Sequence, residues 1–130
     1  MSDSKPRQEK TITLDMLQQM FRNIFEKTDW NMAGDMLWGY FFTHHEPAAL
    51  EKARDLLVAQ GYRFVNIYQL EPDTENPAAP RPWWLHVEKE ETHTPASLDA
   101  RNDELYQFAH HQDLDCYDGM DIGPIQRGQA

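Results

Sequence analysis

Only one cysteine, Cys116, occurs in the 130 residues. That count excludes an internal disulfide, and no basic stretch followed by an apolar one opens the chain, so cytoplasm is the expected compartment. Long hydrophobic runs are missing too. No window approaches the roughly 18 to 20 apolar residues that cross a bilayer, and no lipidation motif occurs, which leaves no membrane partner to expect. Positive charge is scarce: 12 Lys and Arg stand against 22 Asp and Glu, for a net charge of -10. A surface of that sign repels phosphate backbones and favours basic partners, so direct nucleic-acid binding is not expected. The few glycines build no phosphate-cradling loop and no G-x-S-x-G elbow, and no nucleophile stands beside an evident base. Cys116, between Asp115 and Tyr117, reads as a packed side chain. No catalytic residue and no cofactor is nominated.

What is present is one domain's worth of chain. Residues 1–12 are polar and aperiodic and read as a flexible arm, residues 13–125 as a single domain, and residues 126–130 as a tail. Thr13 is a plausible N-cap, and Leu14, Leu17, Phe21 and Ile24 recur at helical spacing with Met20 and Phe25 beside them, giving a helix over 13–28. That Met- and Phe-bearing stripe must be covered, by its own domain or by a second copy of the chain. "LWGYFFT" over 37–43 is an aromatic strand. Pro47 at a first helical position and Gly61 just past the last turn bound a helix over 46–60, with Leu50, Ala53 and Leu57 inward. Residues 62–70 alternate as a second strand, and the prolines at 72, 77, 80 and 82 mark a long loop. "WWLHVEKE" over 83–90 is a third strand, Thr94-Pro95 opens a second long helix, and residues 114–122 form a fourth strand stopped by Gly123-Pro124.

After the leading helix, the order strand, helix, strand, strand, helix, strand is the split β-α-β arrangement of an α+β, ferredoxin-like sandwich. The right-handed crossover rule places the strands of its antiparallel sheet in the order 4-1-3-2, with two helices on one face. Alternation puts Trp38, Tyr40 and Phe42 on one side of the first strand and Leu37, Phe41 and Thr43 on the other. Both sides are apolar, so the N-terminal helix is expected to cover part of the second face. An RNA-recognition surface on the aromatic central strands is contradicted by the acidic run Glu88, Lys89, Glu90, Glu91.

Two histidine doublets, His44-His45 and His110-His111, fall at the same end of the sheet as Asp113 and Asp115. A metal site can be assembled from such parts, but no H-x-x-x-H spacing occurs and adjacent strand residues point apart, so no metal ligand is nominated. Asp115, Asp118 and Asp121 do not match a calcium loop, and on a regular strand Asp118 opposes the other two unless Gly119 makes a bulge.

"WGYFFTHHEPAALEKARDLLVAQGYRF" and "WWLHVEKEETHTPASLDARNDELYQFAHHQDLDCYDGMDIGP" together resemble the regulator of ribonuclease E activity B (RraB) family, over about residues 37–124. The order of elements and the closing Tyr117-Asp118-Gly119 carry most of that likeness. The resemblance implies a non-catalytic protein that binds and inhibits an RNA-degrading, ribonuclease E-like endonuclease and so alters RNA turnover. An inhibitor or immunity-type protein for another enzyme, and a small metal-dependent hydrolase using the histidine end, are the rival readings; the chain is expected to be a monomer or a homodimer. For partner binding the anchors are Trp38, Trp83 and Trp84, because large aromatics dominate interface energetics, with Glu88, Glu90, Glu91, Asp118 and Asp121 as an acidic rim.

Overall fold

The computed structural model describes residues 8–72, 74–79 and 81–125, and its elements follow the expected order. Helix α1 spans Leu14–Lys27, strand β1 Met36–His44, helix α2 Pro47–Ala59, strand β2 Arg63–Gln69, strand β3 Trp83–Glu91, helix α3 Pro95–His111 and strand β4 Cys116–Gly123. The four strands form one antiparallel sheet in the order β2-β3-β1-β4, which is the arrangement derived from the sequence. No helix of the described residues is long and apolar enough to cross a membrane.

The local signals act as their chemistry requires. Thr13 Oγ1 accepts the Met16 N–H at 3.2 Å and starts α1. Thr94 and Ser97 cap α3 reciprocally, each side chain accepting the other's backbone N–H, with Pro95 in the first turn. Gly61 ends α2 at φ 100°, a left-handed conformation that lets the chain turn back so that the Tyr62 N–H reaches Leu57 O at 3.1 Å.

The core lies between the sheet and a layer made of all three helices. Trp38, Tyr40 and Phe42 of β1 and Leu85 and Val87 of β3 are wholly buried there against Leu50, Ala53 and Leu57 of α2 and Leu98 and Leu105 of α3. The position of α1 differs from expectation. It packs on α3, and its Phe21 ring stacks on Trp38 at 6.2 Å, so it lies on the helical side and leaves the other sheet face uncovered. Its apolar stripe matches the Trp38 side better because that side supplies continuous aliphatic and aromatic surface, whereas the second face is interrupted by carboxylates and a glycine. The outward side of α1 still exposes Met16 and Phe25.

The described part of the arm expected over residues 1–12 contacts the domain. From Gln8 onward it is docked: the Gln8 side chain accepts the Tyr117 N–H at 2.8 Å and donates to Tyr117 O at 2.9 Å, along the outer edge of β4. Lys10 bonds Asp99 and Asp103 of α3, and the Thr11 N–H reaches the Tyr106 hydroxyl. A side-chain amide that copies a strand's hydrogen bonds blunts an edge otherwise open to pairing. Residues 1–7 and the tail at 126–130 lie outside the described residues.

Candidate functional site

The uncovered sheet face is built by alternate residues of all four strands. Register pairs Thr43 with Trp84, Phe41 with His86, Gly39 with Glu88 and Leu37 with Glu90 between β1 and β3, so these eight share one side. Strand β2 adds Tyr68 opposite Trp84, Asn66 opposite His86 and Arg63 opposite Glu88. Strand β4 adds Gly119 opposite Phe41 and Asp121 opposite Gly39.

Asp121 reaches this face through a bulge. The β1–β4 register shifts between Phe41 and Phe42, which oppose Gly119 and Tyr117, so Asp118 is the extra residue and Gly119 takes φ 127°. Had β4 run on from Tyr117 in regular register, Asp121 would oppose Trp38 and fall on the helical side. The glycine irregularity foreseen as a condition in the sequence is thus what turns an acidic side chain outward, while Tyr117 remains in the core.

Aromatic surface and negative charge lie side by side here. Tyr68 and Trp84 stack with ring centroids 6.3 Å apart and planes 13° from parallel, and Phe41 stacks on His86 at 4.3 Å and 19°. Burial raises the Tyr68 pKa, and the charges of Asp118 and Asp121 raise it further, so the phenol sits within the field of the β4 carboxylates. Burial alone raises that of Asp118. Glu88 is bound by Arg63, whose Nε lies 2.6 Å from Glu88 Oε2, and the same guanidinium approaches Glu90 at 4.0 Å. Asp118 and Asp121 are exposed.

Of the eight residues nominated from the sequence, Trp84, Glu88, Glu90, Asp118 and Asp121 are brought to this face. Three are not. Trp38 is wholly buried, and its indole N–H donates to Glu91 O at 3.0 Å, so it is a core residue and not an anchor. Trp83 turns to the helical side and packs against the core. Glu91, one step out of phase with Glu88 and Glu90, also faces the helices and is withdrawn from the rim. Its Oε2 accepts from Arg101 Nη1 at 2.5 Å and from the Tyr40 hydroxyl at 3.0 Å, and lies 3.0 Å from His93 Nε2. Burial opposes its charge, but the His93 hydrogen bond, the Arg101 guanidinium and the Tyr40 hydroxyl outweigh it and hold the carboxyl down to about 2.

Sequence reasoning missed Gly39, Phe41, His86 and Tyr68 as site residues. The available signal was the glycine in the middle of an aromatic strand, which marks either a bulge or a place where another group approaches closely.

The histidine end is assembled in part. His45 Nδ1 lies 3.1 Å from Asp115 Oδ2, His44 Nε2 4.0 Å from Asp115 Oδ1, and the two rings stack at 4.2 Å. His44, His45 and Glu46 can bring one donor atom each within 4.8 Å of one another. His110, His111 and Asp113 do not join that group among the described residues. Glu46 is the N-cap of α2, so the positive end of a helix dipole points at this cluster and opposes a cation there. Cys116 is half-buried, within hydrogen-bond range of the Gln8 amide, and burial raises its thiol pKa, which favours the protonated form.

A comparison with curated proteins finds no match. A family model described as regulator of ribonuclease activity B matches residues 14–122, which takes in α1 and nearly every residue of the sheet. Spanning most of the sequence, that match establishes that the chain belongs to the RraB family, the regulators of ribonuclease activity B.

Proposed function

We propose that this chain is a non-catalytic, cytoplasmic regulator that binds a ribonuclease E-like endonuclease through its uncovered sheet face and lowers the enzyme's activity. The observation that carries the reading is that face itself: a stacked Tyr68–Trp84 pair flanked by Glu88, Glu90, Asp118 and Asp121, left open because α1 lies with the other helices. Family membership supplies the class of partner. The face supplies the means, since a flat aromatic centre gives desolvated contact area and the carboxylates around it complement the basic surface that an RNA-cleaving enzyme presents to its substrate. Occupying that surface lowers activity without any chemistry on the regulator's part.

Calorimetric titration of a purified ribonuclease E-type endonuclease tests the reading. The wild-type chain binds, and Trp84→Ala weakens the affinity at least tenfold while its circular dichroism stays that of the wild type. Full affinity in a folded Trp84→Ala variant removes the sheet face from the interaction.

A further inference from the structure

Gly39 sits in the middle of β1, a central strand of the sheet, where a glycine weakens the strand and contributes nothing to packing. Its φ is not in the left-handed region, so the backbone does not call for glycine there. Space does. A methyl group at this position would collide with Asp121 Oδ1 and would come within 2.7 Å of His86 Nε2, so the ends of both side chains converge over the bare Cα. Around them lies a notch of about 230 Å³ lined by Leu37, His86, Glu88, Asp121 and Ile122. Among the described residues no group donates a hydrogen bond to the Asp121 carboxylate or bonds the His86 ring.

We infer that this notch receives an arginine side chain of the partner, whose guanidinium enters beside the Asp121 and His86 side-chain ends, donates to Asp121 and stacks beside the His86–Phe41 pair; the inference rests on the function proposed above and names the chemistry that the same face recognises. Three observations converge on it. The acceptor is a carboxylate on an exposed sheet face of a chain with net charge -10, so the occupant is cationic. Its flank is a stacked pair of planar rings, which suits a flat, weakly hydrated guanidinium better than the compact ammonium of lysine. The chain's own Arg63 already shows the mode on the neighbouring strands, with its guanidinium bound to Glu88 on the same side of the sheet.

The test uses the whole chain and short blocked peptides, Gly-Arg-Gly, Gly-Lys-Gly and Gly-citrulline-Gly, with amide chemical shifts as the readout. The arginine peptide shifts the Gly39, Phe41 and Asp121 amides in a saturable way, with a dissociation constant on the order of 1 mM as befits a single side chain. The citrulline peptide, of equal shape without charge, leaves them unmoved. Gly39→Ala fills the notch by displacing only side-chain ends, and Asp121→Asn removes the acceptor charge; each abolishes the arginine response while the remaining spectrum stays folded. Equal shifts with lysine or citrulline, or shifts confined to other surfaces, overturn the inference. Against the endonuclease, a loss in Trp84→Ala with none in Gly39→Ala rejects the notch and keeps the proposed function. Arginine binding at the notch without any endonuclease binding does the reverse.

Discussion

The Tyr117 hydroxyl donates to Asn102 Oδ1 at 2.6 Å, with both side chains fully buried between β4 and α3. These two residues come from two of the stretches in which the sequence resembles the family, "SLDARN" and the closing "YDG". One residue before Asn102, Arg101 reaches back to Glu91 at the end of "VEKEE". These stretches therefore fasten α3 to the sheet from two sides. They hold the fold together, and the open sheet face is built by residues that alternate with them.

Tyr117→Phe removes the donor and leaves the Asn102 carbonyl buried without it, beside an Nδ2 that already lacks a partner. A lost buried hydrogen bond of this kind costs about 1 to 3 kcal/mol. Urea unfolding should show that loss at an unchanged m-value, with endonuclease binding intact once the protein is folded.

Acid should weaken the fold through Glu91. Its folded pKa of about 2 lies below its ordinary value of 4.5, so the stabilisation is complete above about pH 4.5 and is lost as the pH falls toward 2. Allowing for partial solvent screening, the contribution is about 2 kcal/mol. Glu91→Gln should lower stability at neutral pH by a similar amount and flatten its pH dependence below pH 4.5, as measured by thermal unfolding across that range.

The two tryptophans most easily confused in the sequence should behave in opposite ways. Trp38→Ala opens a cavity in the core and removes the indole bond to Glu91 O, which costs about 3 to 5 kcal/mol and leaves little folded protein. Trp84→Ala, on the open face, should lower the melting temperature by only a few degrees. Calorimetric melting of the two variants side by side distinguishes a core residue from an anchor.

Salt should weaken the complex. Asp118 and Asp121 are exposed, and charges separated by more than about 8 Å are screened at physiological ionic strength, so the association rate should fall as salt rises while dissociation changes little. Asp121→Asn should flatten that dependence in stopped-flow binding.

Much of the fold could be read from single residues with one physical role. Pro47 and Gly61 bounded α2, Thr94-Pro95 began α3, and the alternating aromatics of β1 and β3 marked the central strands, so the sheet order followed from handedness alone. The covered side of the sheet could not be read, because Trp38 and Phe41 present apolar surface in both directions and pattern alone does not say where an amphipathic α1 will lie. The same ambiguity placed Trp38 and Glu91 in the site. Strand alternation separates Glu91 from Glu88 and Glu90, but its partner Arg101 belongs to another element, and a carboxylate beside other carboxylates reads as rim until that partner is seen. Asp121 depended on whether Gly119 bulged, a conformational fact that the glycine allowed and did not dictate.

Inhibition itself is measured by an RNA-cleavage assay with a purified ribonuclease E-type endonuclease, titrated in parallel with the wild-type chain and with folded Trp84→Ala. If the open face inhibits the enzyme, the wild type lowers the cleavage rate to a plateau and the variant needs at least tenfold more protein to do so. Cleavage unaffected by the wild type, or inhibited equally by both, would contradict it.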